Sequence, residues 1–159
     1  MFELNEDQIA IRDMARAFAD EVIRPAAEAL DRDERFPAEI YDEMAKLGLF
    51  GIGVPEGMGG PGFDTLTYAV VMEELSRGYA SVADQCGLLE LISTLLVRHG
   101  TDAQRKLLPE ILAMRRKVAY CITEPEAGLQ GVNRRHIHYD SAARDAHSQR
   151  IRGTMDENA

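Results

Sequence analysis

Val118-Ala-Tyr-Cys-Ile-Thr-Glu-Pro-Glu-Ala-Gly128 divides this sequence into two kinds of chain. From Lys117 to Thr123 the residues are β-rich, so the stretch reads as a short strand running into a tight turn. Its closing glycine lets a backbone approach a ligand closely. Alternation puts Tyr120 and Ile122 on one face of that strand and Cys121 and Thr123 on the other. The strand end offers free backbone amides, and Thr123 adds a hydroxyl at the same edge. A flat, polar-edged heterocycle could be held there. An ordinary strand leaving a helical bundle accounts for the same residues.

Upstream, the sequence reads as helices. Asn5 is placed to cap the amide three residues on, with Gln8 reaching back. Ile11, Met14, Ala15, Phe18 and Val22 then recur at helical spacing. Pro25 removes a hydrogen bond and predicts a kink before the helix fades near Leu30. Pro37 opens a second helix in its first turn, with Ile40, Tyr41, Met44 and Leu47 inward and Gly48 closing it. Asp64 caps a third helix running to about Arg77. A fourth, from about Ala80 to His99, is apolar on nearly all sides and is expected to be the most buried element. Thr101 to Gln104 is a capping box opening a fifth helix, with Leu107, Leu108, Ile111 and Leu112 on its core face and Pro109 set to break or bend it.

Downstream of Leu129 the composition changes. Residues 129–159 hold five arginines, no lysine and few large apolar side chains. Such a segment buries little surface to offset its ordering entropy, so a flexible tail is expected. The whole chain, 159 residues with a formal charge of −9, is long enough for one domain with a real core. That charge argues against nucleic acid or an anionic membrane surface as partner. Cys86 and Cys121 lie in apolar surroundings and read as reduced thiols of a cytoplasmic protein. The apolar run from Gly87 to Val97 is broken by Glu90, Ser93 and Thr94, and is too short and polar for a membrane span.

Other motifs carry less. The loop from Gly51 to Gly62 has six glycines and two prolines, but its spacing fits neither a dinucleotide fingerprint nor a P-loop, so it reads as a connector. His136 and His138 would share a face if they lay on a strand, yet no further ligands stand at a recognisable spacing, and no metal site is assigned. His99 suits a helix C-terminus as a dipole partner. Glu90 on the apolar fourth helix is either a buried carboxylate with a raised pKa, fit for a base or a pocket wall, or a residue that reaches solvent or pairs with arginine. The second reading is favoured. No catalytic triad follows from the spacing.

Together the motifs resemble the FAD-dependent acyl-CoA dehydrogenases. Tyr120-Cys-Ile-Thr-Glu-Pro-Glu-Ala-Gly128 is similar to that family's signature. Leu4 to Gln8, Arg24-Pro25, Leu47 to Gly51, Val54 to Gly57, Gly59-Gly60, Met72 to Ser76 and Leu107 to Pro109 follow in family order, so residues 2–128 are covered. The resemblance implies a mainly α fold: a helical bundle over residues 1–116, the start of a middle β-domain at 117–128 with its β segment near 117–123, and an irregular tail at 129–159. It places Tyr120, Ile122 and Thr123 beside the flavin ring, with the threonine on its pyrimidine end and Gly128 against the cofactor. Leu88 to Leu95 would line part of an acyl pocket. The family reaction takes two hydrogens from an acyl-CoA thioester, with a glutamate as base for the α-proton and hydride passing to the flavin. An electron-transfer flavoprotein then reoxidises the cofactor.

The pattern also departs from the family. Glu126 replaces a small residue, Leu129 a serine that contacts cofactor and CoA, and Gln130 an aspartate. A leucine cannot make that hydrogen bond. The pattern then stops, as it would in a chain shortened or frameshifted near codon 129. No catalytic residue is assigned, and FAD, held from one edge only, is expected not to bind the isolated chain. Two alternatives stand beside an inactive dehydrogenase fragment: a helical interaction module that self-associates through exposed apolar surface, or one part of a split flavoenzyme.

Overall fold

Asn5 begins the first helix as its spacing demands: its side chain accepts from the Gln8 N–H at 2.8 Å, and the Gln8 side chain accepts from the Asn5 N–H at 3.1 Å. The computed structural model describes residues 3–120 and the backbone of 137–139. It falls into two units, residues 1–114 and 115–159.

In the first unit, α1 (Glu6–Phe18) runs into a π-turn (Ala19–Ile23) and then α2 (Arg24–Arg32). The disturbance expected at Pro25 takes this form. Pro25 cannot donate a backbone hydrogen bond, and just ahead of it the Arg24 N–H reaches back five residues to the Ala19 carbonyl. The chain stays helical two residues past Leu30. Helix α3 (Ala38–Lys46) has Pro37 at its N-cap, one residue ahead of the expected first-turn position. Ile40, Tyr41 and Met44 are buried, but Leu47 is 40% exposed, against the inward face its spacing suggests. The helix has ended by Leu47, so its side chain no longer follows the helical stripe. Gly48 then takes φ +70°, the left-handed conformation that closes α3.

Helices α4 (Thr65–Gly78) and α5 (Ala80–His99) form a hairpin. Asp64 caps α4, accepting from the Thr67 N–H at 2.8 Å. The other side of α4 packs on α1 and the π-turn. Gly78 permits the closest approach, since a Cβ there would lie 3.0 Å from both the Ala19 carbonyl oxygen and Ile23 Cβ. Arg24 reinforces the contact by donating to the Arg77 carbonyl at 3.1 Å. Thr101 opens α6 (Asp102–Arg105) with the expected capping box, and the chain breaks at Lys106–Leu107, just ahead of Pro109, which stands in the first turn of α7 (Leu108–Leu112).

Among the described residues the fourth helix carries the most buried side chains of any helix, as expected, but not on every side. Val82, Cys86, Leu89, Ile92 and Leu96 are buried, whereas Leu91 on another side is 45% exposed. Composition reports apolar residues all round, but only some sides of the helix meet neighbours. Its 20 residues, unlike the shorter run 87–97 within it, are long and apolar enough to cross a bilayer by length and composition, and a buried core helix passes the same test.

In the second unit β1 (Val118–Tyr120) pairs antiparallel with β2 (Ile137–Tyr139), Val118 opposite Tyr139 and Tyr120 opposite Ile137. Three residues, Ile-His-Tyr, are too few to show a strand period, and β2 was not anticipated.

Candidate functional site

Strand β1 carries Tyr120, the first residue of the stretch expected to face a flavin. Val118 and Tyr120 are half-buried and Ala119 is exposed, as strand alternation requires. Ile122, Thr123 and Gly128 lie outside the described residues, as do Cys121, Glu126, Leu129 and Gln130. Of the two histidines weighed as ligands, His138 stands on β2 opposite Ala119 and His136 is outside the described residues. Among the described residues no three His, Cys, Asp or Glu side chains group as metal ligands.

The first unit holds two carboxylates of special chemistry. Glu74 on α4, 4% exposed, was not singled out by the sequence. Arg16 of α1 grips it with a forked pair, Nε donating to Oε2 at 2.9 Å and Nη2 to Oε1, while Arg77 Nη1 donates to Oε2 at 2.8 Å. These bonds from Arg16, against the cost of burial, hold the carboxyl below its usual range. The available signal was its place beside Val71 and Leu75 on the buried side of α4, three residues before Arg77.

Glu90 on α5 neither reaches for an arginine nor extends fully into solvent, contrary to the favoured reading. Its Oε1 accepts from the Gly53 N–H at 3.0 Å. Burial pushes the carboxyl above its usual range, although the Gly53 and Ile52 amides pull the other way. Its Oε2 is buried without a hydrogen-bond partner. One turn earlier, Cys86 is buried and free, its Sγ donating to the Leu49 carbonyl at 2.9 Å. Burial pushes that thiol up to about 12, so it stays protonated. These two bonds fasten the glycine-rich loop and the residues leading into it to α5. The loop is a connector, as expected, but one held by an α5 side chain at Gly53, with a second holding Leu49 just ahead of it.

Tyr120 is the one residue of the proposed flavin set among those described. A half-buried ring on a short strand is not by itself a flavin cradle, which needs hydrogen-bond partners along the pyrimidine edge and donors for the pyrophosphate.

The chain belongs to the acyl-CoA dehydrogenase family: residues 5–115 match the model of the acyl-CoA dehydrogenase N-terminal domain. It is 36% identical over 126 residues to the mitochondrial isobutyryl-CoA dehydrogenase of Dictyostelium discoideum, an alignment covering 79% of this chain and 30% of that enzyme. A solved acyl-CoA dehydrogenase of Bacillus anthracis, complexed with FAD, is similar with a TM-score of 0.73 and 28% identity, over 83% of this chain and 23% of that one. A chain from a structure of the electron transferring flavoprotein of Acidaminococcus fermentans is similar with a TM-score of 0.74 and 34% identity, over 80% and 34% of the two chains. This chain spans about a third of the length of the curated relatives it matches.

Proposed function

We propose that this chain provides the N-terminal helical part of an acyl-CoA dehydrogenase, and that the 159-residue polypeptide does not catalyse the reaction alone. The whole enzyme would carry out FAD-dependent α,β-dehydrogenation of an acyl-CoA thioester and pass electrons to an electron-transfer flavoprotein. The observation that carries this reading is the match of residues 5–115 to the family's N-terminal domain. The relatives add support: an isobutyryl-CoA dehydrogenase, an acyl-CoA dehydrogenase complexed with FAD, and a structure of an electron transferring flavoprotein.

A base for the α-proton must be free to take it at the substrate. Among the described residues, Glu74 is bound by two arginines, and Glu90 holds a backbone amide on Oε1 with Oε2 buried, so neither of these carboxylates is open to a substrate. A visible absorption spectrum of the purified chain, with and without added FAD, tests the proposal. The expected result is no bound flavin and no acyl-CoA-dependent dye reduction. Stoichiometric bound FAD with turnover would overturn it.

A further inference from the structure

A small polar cluster lies between α4, α5 and the glycine-rich loop. Glu90 holds the Gly53 amide on Oε1, while Oε2 is buried without a partner. Two titratable groups face the carboxyl: the Tyr68 phenol from α4 and the Cys86 thiol on α5. The loop contributes only the Ile52 and Gly53 amides, and no cation among the described residues acts on the carboxyl. Burial raises both the phenol and the thiol, so both are neutral and offer no compensating charge.

This arrangement treats the two protonation states unequally. An ionised Glu90 places a charged oxygen where nothing donates to it, a costly position. A protonated Glu90 buries only a hydroxyl and still offers a carbonyl oxygen to Gly53. Once the side chain swings out, water solvates either form. The seated position therefore binds a proton better than the released one, and by linkage the proton favours the seated side chain. Gly53 is shaped for this contact, because a Cβ there would lie 2.6 Å from Oε1. It is also exposed, so water can reach its amide without opening the core.

We propose that Glu90 and the Gly53 amide form a proton-dependent latch, holding the Ile52–Gly53 segment on α5 when the carboxyl is protonated and releasing it on ionisation. The latch does not depend on flavin or acyl-CoA, so it stands or falls separately from the dehydrogenase reading.

Amide hydrogen exchange followed by NMR on the full chain tests it, as protection factors at about pH 5 and about pH 8. The expected result is a several-fold fall in protection at Ile52 and Gly53 as pH rises, with Val71 in the α1–α4 contact unchanged. Glu90→Gln, which cannot ionise, should give the same protection at both pH values. Gly53→Ala, whose methyl crowds the movable end of Glu90 and meets the Phe63 carbonyl only at an ordinary 3.9 Å, should give low protection at Ile52 at both. The latch is overturned if wild-type protection is flat or rises with pH, or if Val71 falls in parallel. It is also overturned if Glu90→Gln keeps the wild-type slope. Should that variant not fold, a wild-type slope in Gly53→Ala overturns the latch equally.

Discussion

Glu74 and Glu90 stand on adjoining helices of one hairpin, yet their surroundings pull their chemistry in opposite directions. Around Glu74, α1 and α4 bring two guanidinium groups to one carboxylate, and the charged form is favoured. Around Glu90, the loop brings only backbone amides and the hairpin only a neutral phenol and thiol, and the carboxyl is raised above its usual range. Burial acts on both. What separates them is whether a neighbouring element supplies a cation, which makes a buried carboxylate either part of the framework or a titrating group.

The largest test of this contrast lies in the approach that brings Arg16 to Glu74. Gly78→Val would drive a branched side chain into the Ala19 carbonyl and Ile23. We expect a loss of about 3 kcal/mol in thermal or urea unfolding, the size of overpacking in a close-packed contact. A loss under about 1 kcal/mol would show that α4 can slide away from α1 without harm.

Glu74→Gln comes next. It keeps the shape but loses the charge, and should cost about 2 kcal/mol at neutral pH by urea denaturation; the half-exposed arginines soften the usual penalty. Because the Glu74 carboxyl is lowered in the folded chain, its contribution is complete above the ordinary carboxylate range and is lost as pH falls through its lowered value. The difference between wild type and variant should therefore shrink on acidification.

Glu90→Gln has the smallest expected effect, within about 0.5 kcal/mol at neutral pH. The sign of its pH dependence is opposite. A carboxyl raised by folding contributes stability below the ordinary carboxylate range and loses it as pH rises through the raised value. Wild type should thus lose ground to the variant as pH increases. If both substitutions showed the same pH trend in unfolding experiments, the contrast between the two carboxylates would be broken.

The sequence shows most clearly what is settled within a few residues. The boxes at Asn5–Gln8 and Thr101–Gln104, the Asp64 cap and the break just ahead of Pro109 are all local chemistry. The family itself was legible in motifs spread over residues 2–128, and the match over 5–115 agrees with them. Contacts that join distant positions were not legible. Glu90 meets an amide 37 residues away, and a backbone donor has no letter in the sequence. Glu74 needs Arg16 from 58 residues upstream. The exposure of Leu91 likewise depends on where α5 lacks a neighbour, which no hydrophobic pattern along a single helix reveals. At the candidate site, Tyr120 falls on the strand that alternation predicts.

The π-turn at Ala19–Ile23 also bears on the length of the chain. A π-turn accommodates one residue more than the α-helical path, so the rod from Glu6 to Arg32 is set by one added residue. Deleting one residue between 19 and 23 would therefore let the rod revert to plain α-helix while everything beyond it keeps its direction relative to α1, with Arg24 still beside the Arg77 carbonyl and Leu30 still on the core. The same deletion inside α1 or α2, where no residue is spare, would turn everything beyond it by about 100°. The π-turn is where this rod can lose a residue and keep its contacts.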